Sequence, residues 1–350
     1  MRALLTGGTG FIGQPVCRAL LARGWRVSAL VRKLESPQAA ALSRMGAQLA
    51  SGNVTERESM RAAMRGADIV VHNAGRYEYG ENRAGKVRMR AVNVTGTENV
   101  LELAQELSIR RVVYVSTVQA MGRTGPQPRD ESFTRETPCL TTYEQTKTEA
   151  HGLALRYRLS GLPLIIVCPN AVIGANDHSP YGYFLRLYLN RTMPPLCWSP
   201  EAIHAAVHVD DVAEGIALAA ERGRIGETYL LCGEPRSFRE EMTYWSKRPG
   251  RFVPVVWLPA RVAALLFAPL EPLQRVLGLP AFISRETVVT GARDWNYSSD
   301  KAARELGWTR RSSEAMWMET IDRELELLRV RKGQNLIQRL KPLDTVEWPS

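Results

Sequence analysis

A run of glycines near the start of the chain constrains its fold more than any other feature. Thr6-Gly7-Gly8-Thr9-Gly10-Phe11-Ile12-Gly13 lies between a short apolar run, Ala3-Leu4-Leu5, and a segment of helical apolar spacing, Pro15 to Arg23, which Gly24 ends. A tight strand-to-helix turn without side chains lets backbone N–H groups approach a diphosphate, whose charge the helix N-terminus stabilises. The glycines fit both the G-x-x-G-x-x-G and the G-x-G-x-x-G spacing, and the strand-loop-helix setting is what makes either spacing informative. Gly7, Gly10, Phe11, Ile12 and Gly13 are therefore expected to hold the diphosphate of NADP(H) or NAD(H).

The chain continues as such a turn requires. Arg26 to Val31 reads as a second strand, and apolar runs recur at Ile69-Val70-Val71, Val112 to Val115 and Leu164 to Val167, separated by helical stretches at Asn93 to Leu107 and Tyr143 to Leu159. Uniformly apolar strands spaced by helices predict an α/β fold, a Rossmann doubly wound parallel sheet covered on both faces. After Pro169 the rhythm breaks into loop-rich sequence with Pro180, Pro194, Pro195 and Pro200, before a helix near Asp211 to Arg222 and a returning strand at Thr228 to Cys232. The 350 residues are thus divided into a nucleotide-binding domain, 1–174 with a returning segment near 203–233, and a smaller, discontinuous C-terminal substrate domain, 175–202 and 234–330. An amphipathic helix is expected near Ser313 to Val330, and 331–350 read as a tail.

Composition excludes several classes. With 45% hydrophobic and 23% charged residues the chain is of ordinary globular type. Its net charge of +10 is spread beside carboxylates, without a basic cluster interleaved with aromatics, so no nucleic-acid partner is expected. The scattered Cys17, Cys139, Cys168, Cys197 and Cys232 lack zinc or redox spacing, so reduced thiols and no metal are expected. The opening Met1-Arg2-Ala3-Leu4-Leu5 lacks the pattern of a secretory signal, which points to a cytoplasmic protein. The apolar stretch from Phe252 to Ser284 is interrupted by Pro254, Pro259, Arg261, Pro269, Glu271, Pro272, Arg275 and Pro280, too often for a bilayer span. It is left as substrate lid, core or a peripheral membrane contact.

At the end of the second strand, where an NAD site carries a carboxylate for the ribose, stand Arg32 and Lys33. Cations there suit the ribose 2′-phosphate, so NADP(H) is the preferred cofactor and NAD(H) the alternative. Tyr143-Glu144-Gln145-Thr146-Lys147 places a phenol and an ammonium four residues apart on one helical face. A cation favours the phenolate, so Lys147 is expected to bring Tyr143 toward neutral titration.

Loop and Y-x-x-x-K together resemble the extended short-chain dehydrogenase/reductase superfamily, also described as the NAD-dependent epimerase/dehydratase family. Val112 to Thr117, with Gly122 beyond, resembles its strand bearing the catalytic hydroxyl, and counting back from the glycine puts that hydroxyl on Thr117. Asn93-Val94-Thr95-Gly96-Thr97, Pro169 to Gly174 and His208 to Ala213 resemble further elements in the family's order. The resemblance implies Tyr143 as general acid/base, Thr117 on the substrate oxygen, Lys147 on the cofactor ribose, and Asn93 supporting the lysine through water. Asn53 and Val54 are placed beside the adenine, Asn73, Ala74 and Gly75 at a close cofactor approach, and Pro169, Ala171 and Val172 beside the nicotinamide, with Tyr143 and Lys147 also touching cofactor. It further implies a homodimer through the helices at 93–107 and 143–159. Asn53 stands in place of the family's usual Asp, and Cys168 in place of an arginine. His72 and His208 are read as structural.

Thr117 is followed by Val118-Gln119 rather than the acidic pair of sugar-nucleotide dehydratases, so elimination of water is not expected. The layout from Phe252 onward, with Arg285-Glu286 and Tyr297 to Trp308, looks more like the dihydroflavonol reductase and 3β-hydroxysteroid dehydrogenase branch. The expectation is an NADP(H)-dependent oxidoreductase of a small, fairly apolar carbonyl or alcohol, touched by the loops at 76–83 and 175–188, with Arg76, Tyr77 and Tyr79 as candidate contacts. The alternatives are an NAD-dependent nucleotide-sugar epimerase and a non-catalytic NAD(P)-binding scaffold.

Overall fold

The computed structural model describes residues 1–248 and 256–345. Among these, seven strands form one sheet: β1 (Arg2–Thr6), β2 (Arg26–Val31), β3 (Gln48–Ser51), β4 (Ile69–His72), β5 (Val112–Val115), β6 (Leu164–Pro169) and β7 (Thr228–Leu231). Their spatial order is β7-β6-β5-β4-β1-β2-β3, and every pairing is parallel. Every residue of β4, β5 and β6 is buried, which is why these strands read as unbroken apolar runs. The edge strand β3, Gln48-Leu49-Ala50-Ser51, has no fully buried residue and carried no such signal.

Helix α1 (Gly13–Ala22) packs on one face of the sheet through Val16, Cys17 and Leu20; α2 (Gly96–Glu106) and α3 (Thr142–Leu159) pack on the other through Val100, Leu103, Ala150 and Ala154. Beyond β6 the structure differs from the loop-rich expectation. Pro180 opens a helix, α4 (Pro180–Leu189), because a proline at the first helical position forfeits no hydrogen bond. Helix α5 (Val209–Arg222) then returns to the α1 face and leads into β7.

Helices that follow β7 include α6 (Phe238–Ser246), α7 (Ala260–Phe267), α8 (Leu270–Val276), α9 (Arg285–Gly291), α10 (Ser313–Val330) and α11 (Leu336–Leu340). Leu185, Tyr188, Trp198, Met242, Trp245, Val288, Trp317 and Ile321 build from them an apolar cluster separate from the two sheet cores. From 256 onward the apolar stretch is a short strand, Val256–Leu258, followed by short helices; its start, Phe252 to Val255, lies outside the described residues. No helix among the described residues is long and apolar enough to cross a membrane.

Residues 331–345 correct the expectation of a patternless tail. Buried Arg186 donates to Leu340 O (2.5 Å) and Asp177 O (2.8 Å) and faces Glu324, while Asn176 exchanges hydrogen bonds with Leu343 N and O. Those polar contacts fasten the segment across α4; residues 346–350 lie outside the described residues.

Candidate active site

The strand order reverses between β1 and β4, so their carboxyl ends diverge and leave a crevice. A cavity of about 940 Å³ opens there and runs on between the sheet and the helices beyond β7. At one end it is walled by the glycine loop. Gly7 has φ +71°, and a Cβ on it would stand 2.7 Å from the Ala74 backbone. Gly13 does not line the cavity; a Cβ there would lie 2.0 Å from Gly7 O, so its smallness lets α1 close onto the loop. No side chain caps α1 and no acidic residue occupies its first turn, which leaves the helix N-terminus available to an anion. A diphosphate fits this cradle.

Gly7, Gly10, Phe11, Ile12, Arg32, Asn53, Val54, Asn73, Ala74, Gly75, Thr117, Tyr143, Pro169, Ala171 and Val172 all line the cavity, whereas Gly13, Lys33, Asn93 and Lys147 do not. Arg32 is exposed at its edge with no carboxylate partner among the described residues, and Lys33 is exposed beside it. The Asn53 amide donates to Glu56 and accepts from Thr55 N.

Thr117 ends β5's extension in an extended conformation, its hydroxyl accepting from Gln119 N at 3.3 Å. The neighbouring Ser116 hydroxyl is bound to His151 Nδ1 at 2.9 Å, which leaves Thr117 to face Tyr143. Tyr143 sits at the start of α3, its ring 4.6 Å from that of Tyr77 and 6.2 Å from that of Tyr79, both edge-on. Burial among these rings raises its phenol well above the usual value, and the hydrogen bond with Thr117 opposes that shift. Lys147 is not among the causes. It is buried, donates to Val115 O at 3.1 Å and Tyr114 Oη at 3.3 Å, and is itself lowered to about 8 by burial. The expected depression of Tyr143 by the lysine is therefore absent from this arrangement, because desolvation outweighs it.

Asn93 is buried and its side chain is spent on the protein. Its Oδ1 accepts from Arg76 N at 2.7 Å, and its Nδ2 donates to Arg76 O at 3.0 Å and Thr146 Oγ1 at 3.1 Å. It pins the loop after β4 to α3. Arg76 lines the cavity but spends its guanidinium on Glu78 (2.7 Å) and Glu81 (2.8 Å). His72 lies between Thr6 and Thr97 hydroxyls, lowered to about 3 by burial, and His208 caps α5 by accepting from Asp210 N. Both are structural.

Two positioning residues escaped sequence reasoning. Arg135 donates to buried Glu144 at 2.6 Å, to Gln119 O and to Ala120 O, so one guanidinium ties the Thr117 turn to the start of α3. Glu286 accepts from Gly80 N at 2.8 Å and joins the 76–83 loop to α9. Glu286 entered the sequence reading only as part of the Arg285-Glu286 layout, with no role, and Arg135 lies in no motif; an arginine alone in a loop gives no signal of what it spans. The far half of the cavity is aromatic, walled by Tyr181, Phe184, Trp198, Phe238 and Trp245.

Residues 3–232 match the profile of the NAD dependent epimerase/dehydratase family. The chain is 34% identical over 323 residues to a 4-hydroxy-2-methyl-3-oxo-4-farnesyl-3,4-dihydroquinoline-1-oxide ketoreductase of Stigmatella aurantiaca, covering 89% of this chain and 92% of that one. It is 30% identical over 346 residues to human 3 beta-hydroxysteroid dehydrogenase type 7, covering 87% and 90%. The crystal structure of gox2253 superposes with a TM-score of 0.78 at 31% identity, covering 95% of this chain and 99% of that one.

Proposed function

The chain belongs to the NAD-dependent epimerase/dehydratase family and is an oxidoreductase of the extended short-chain type; from that premise we propose that it reduces a fairly apolar ring ketone, or oxidises the matching alcohol, with NADP(H). One observation carries this reading: a single cavity joins the glycine cradle, the Thr117–Tyr143 pair and an aromatic chamber. Gly7 to Ile12 would hold the diphosphate and Arg32 the 2′-phosphate. Bound there, the nicotinamide supplies or takes the hydride.

In the reducing direction Thr117 and the Tyr143 hydroxyl hydrogen-bond the carbonyl oxygen, and Tyr143 gives its proton to the forming alkoxide. A phenol raised by burial stays protonated until that charge develops. Asn93 and Arg135 set the geometry from outside. The segments 175–202 and 234–330 are proposed to form the substrate side. An aromatic chamber suits an apolar ring better than a nucleotide sugar, whose diphosphate would need cations; this disfavours epimerisation. NADPH consumption with ring ketones of the steroid and flavanone types tests the assignment, and Tyr143→Phe must abolish most of it; undiminished turnover in that variant would overturn the mechanism.

The outer faces of α7 and α8 extend the reading. Leu265 and Val276 are 77% and 84% exposed, and Val262, Leu266, Leu273 and Leu277 are exposed with them. Arg261, Arg275 and Lys341 are exposed around this face, and Gly278 to Pro280, next in the chain, line the cavity. An apolar face edged by cations beside the chamber matches an anionic bilayer surface from which an apolar substrate could enter.

A further inference from the structure

The aromatic half of the cavity holds polar groups for which the hydride-transfer chemistry has no use. Tyr181 and His204 both line it, and Tyr181 Oη lies 2.6 Å from His204 Nδ1. On the other side of the imidazole, Nε2 lies 3.2 Å from Gly291 O. A carbonyl can only accept, so the proton sits on Nε2 and Nδ1 offers a lone pair. Tyr181 must therefore donate to Nδ1, which leaves the phenol oxygen able to accept and with no hydrogen to offer elsewhere.

Behind this pair stands Glu241, 1% exposed, with Oε2 3.9 Å from His204 Nδ1 and without a hydrogen-bond partner among the described residues. Residues 238, 241 and 245 share one stripe of α6; Phe238 and Trp245 are in the cavity wall, while Glu241 lies behind it. Burial pushes Glu241 up to about 8 and His204 down to about 4, so at neutral pH the two face each other as a carboxylic acid and a neutral imidazole. The indole N–H groups of Trp198 and Trp245, also in the wall, lack partners among the described residues. A buried polar atom left without a partner costs about 1–3 kcal/mol, and several of them around one aromatic chamber are hard to reconcile with a purely structural core.

We propose that Tyr181, held by His204, forms a second polar anchor in the substrate chamber, which recognises a hydroxyl carried by the apolar ring substrate at a point remote from its reacting carbonyl. The anchor presents an acceptor on the Tyr181 oxygen, to which a substrate hydroxyl donates. A second ketone, which can only accept, and a bare hydrocarbon would both leave it unmet. Discrimination of this kind is steep because it is the protein's own desolvated groups that stay unpaired with the wrong ligand. The anchor rests on the ring-ketone reading of the same cavity and names the substrate class more narrowly.

The test compares 4-(4-hydroxyphenyl)cyclohexanone with 4-phenylcyclohexanone, which differ only in the distal hydroxyl, and measures binding to the NADPH-loaded protein by quenching of its tryptophan fluorescence. The parent protein is expected to bind the hydroxylated ketone about tenfold more tightly, one net hydrogen bond. Tyr181→Phe should bring the ratio close to one while the affinity for 4-phenylcyclohexanone stays as it was. Equal binding of the two ketones by the parent, or an unchanged ratio in Tyr181→Phe, overturns the anchor. A hydroxyl preference without NADPH consumption would uphold the anchor and refute the reductase reading; consumption without preference would do the reverse.

Discussion

On the proposed reading Arg32 favours NADP(H) over NAD(H), which differ by one phosphate, and its replacement by aspartate should reverse the choice. The guanidinium stands exposed at the cavity edge, with no carboxylate partner among the described residues, so binding the 2′-phosphate breaks no existing pair. A charge-assisted hydrogen bond contributes about 1.5–3 kcal/mol, and solvent exposure keeps this one near the lower figure. An aspartate would add repulsion of about 1 kcal/mol at a few ångströms in water-like surroundings. The same carboxylate would accept from the free ribose hydroxyls of NAD(H), worth about 1 kcal/mol. The three effects together come to about 3.5 kcal/mol, so the ratio of NADP(H) to NAD(H) affinity should fall roughly 300-fold in Arg32→Asp. Titration calorimetry with NADPH and NADH on parent and variant reads this directly. A parallel series at about 0.1 and 1 M salt should shrink the parent's preference, since the Debye length drops from about 10 to 3 Å. A ratio that Arg32→Asp leaves unmoved would refute the assignment of the 2′-phosphate to this residue.

Other outcomes follow from the same geometry. Tyr143→Phe should lower kcat by about 10²–10⁴ while NADPH affinity holds, as expected of a lost proton donor. Gly13→Ala puts a Cβ 2.0 Å from Gly7 O, so both thermal stability and cofactor affinity should drop; an unshifted Tm would show that the loop gives way freely. Glu241 has its folded value raised to about 8, so the folded state keeps a proton that the unfolded chain releases near 4.5. Its contribution to stability is complete below about pH 4.5 and is lost as pH rises toward 8, and Glu241→Gln should gain stability over the parent across that window, by thermal melts at matched pH. Vesicles of phosphatidylcholine with phosphatidylserine should float the protein, and Leu265→Asp should prevent it. A dimer that forms without vesicle binding would assign the face to a second copy of the chain.

The sheet was legible from sequence because its strands are buried on both faces: Val112 to Val115 could hardly read otherwise. So were the cradle and the phenol-bearing helix, since glycines in that setting and a four-residue spacing each answer to a backbone geometry. What stayed hidden depends on tertiary contacts. That the Asn93 side chain holds Arg76 is set by a loop that folds back onto it, and whether Lys147 tunes Tyr143 depends on a burial that no local spacing encodes. Pro180 looked like a breaker because a proline inside a helix and one at its first turn are the same letter. Arg186 and Asn176, which fasten residues 340–343, pair across more than 150 positions and leave no local trace.

That fastening has a consequence for the order in which the molecule matures. β7 completes the sheet at Leu231, but Pro342 still has to reach the cavity wall, and the Asn176–Leu343 hydrogen bonds need residue 343. On a ribosome adding roughly 5–20 residues per second, those further 112 residues take on the order of 6–22 s. Throughout that interval the nascent chain can hold a finished nucleotide cradle while its chamber stands open along one wall. A cofactor could board before synthesis ends, whereas the chamber takes its final shape only when the last turns arrive.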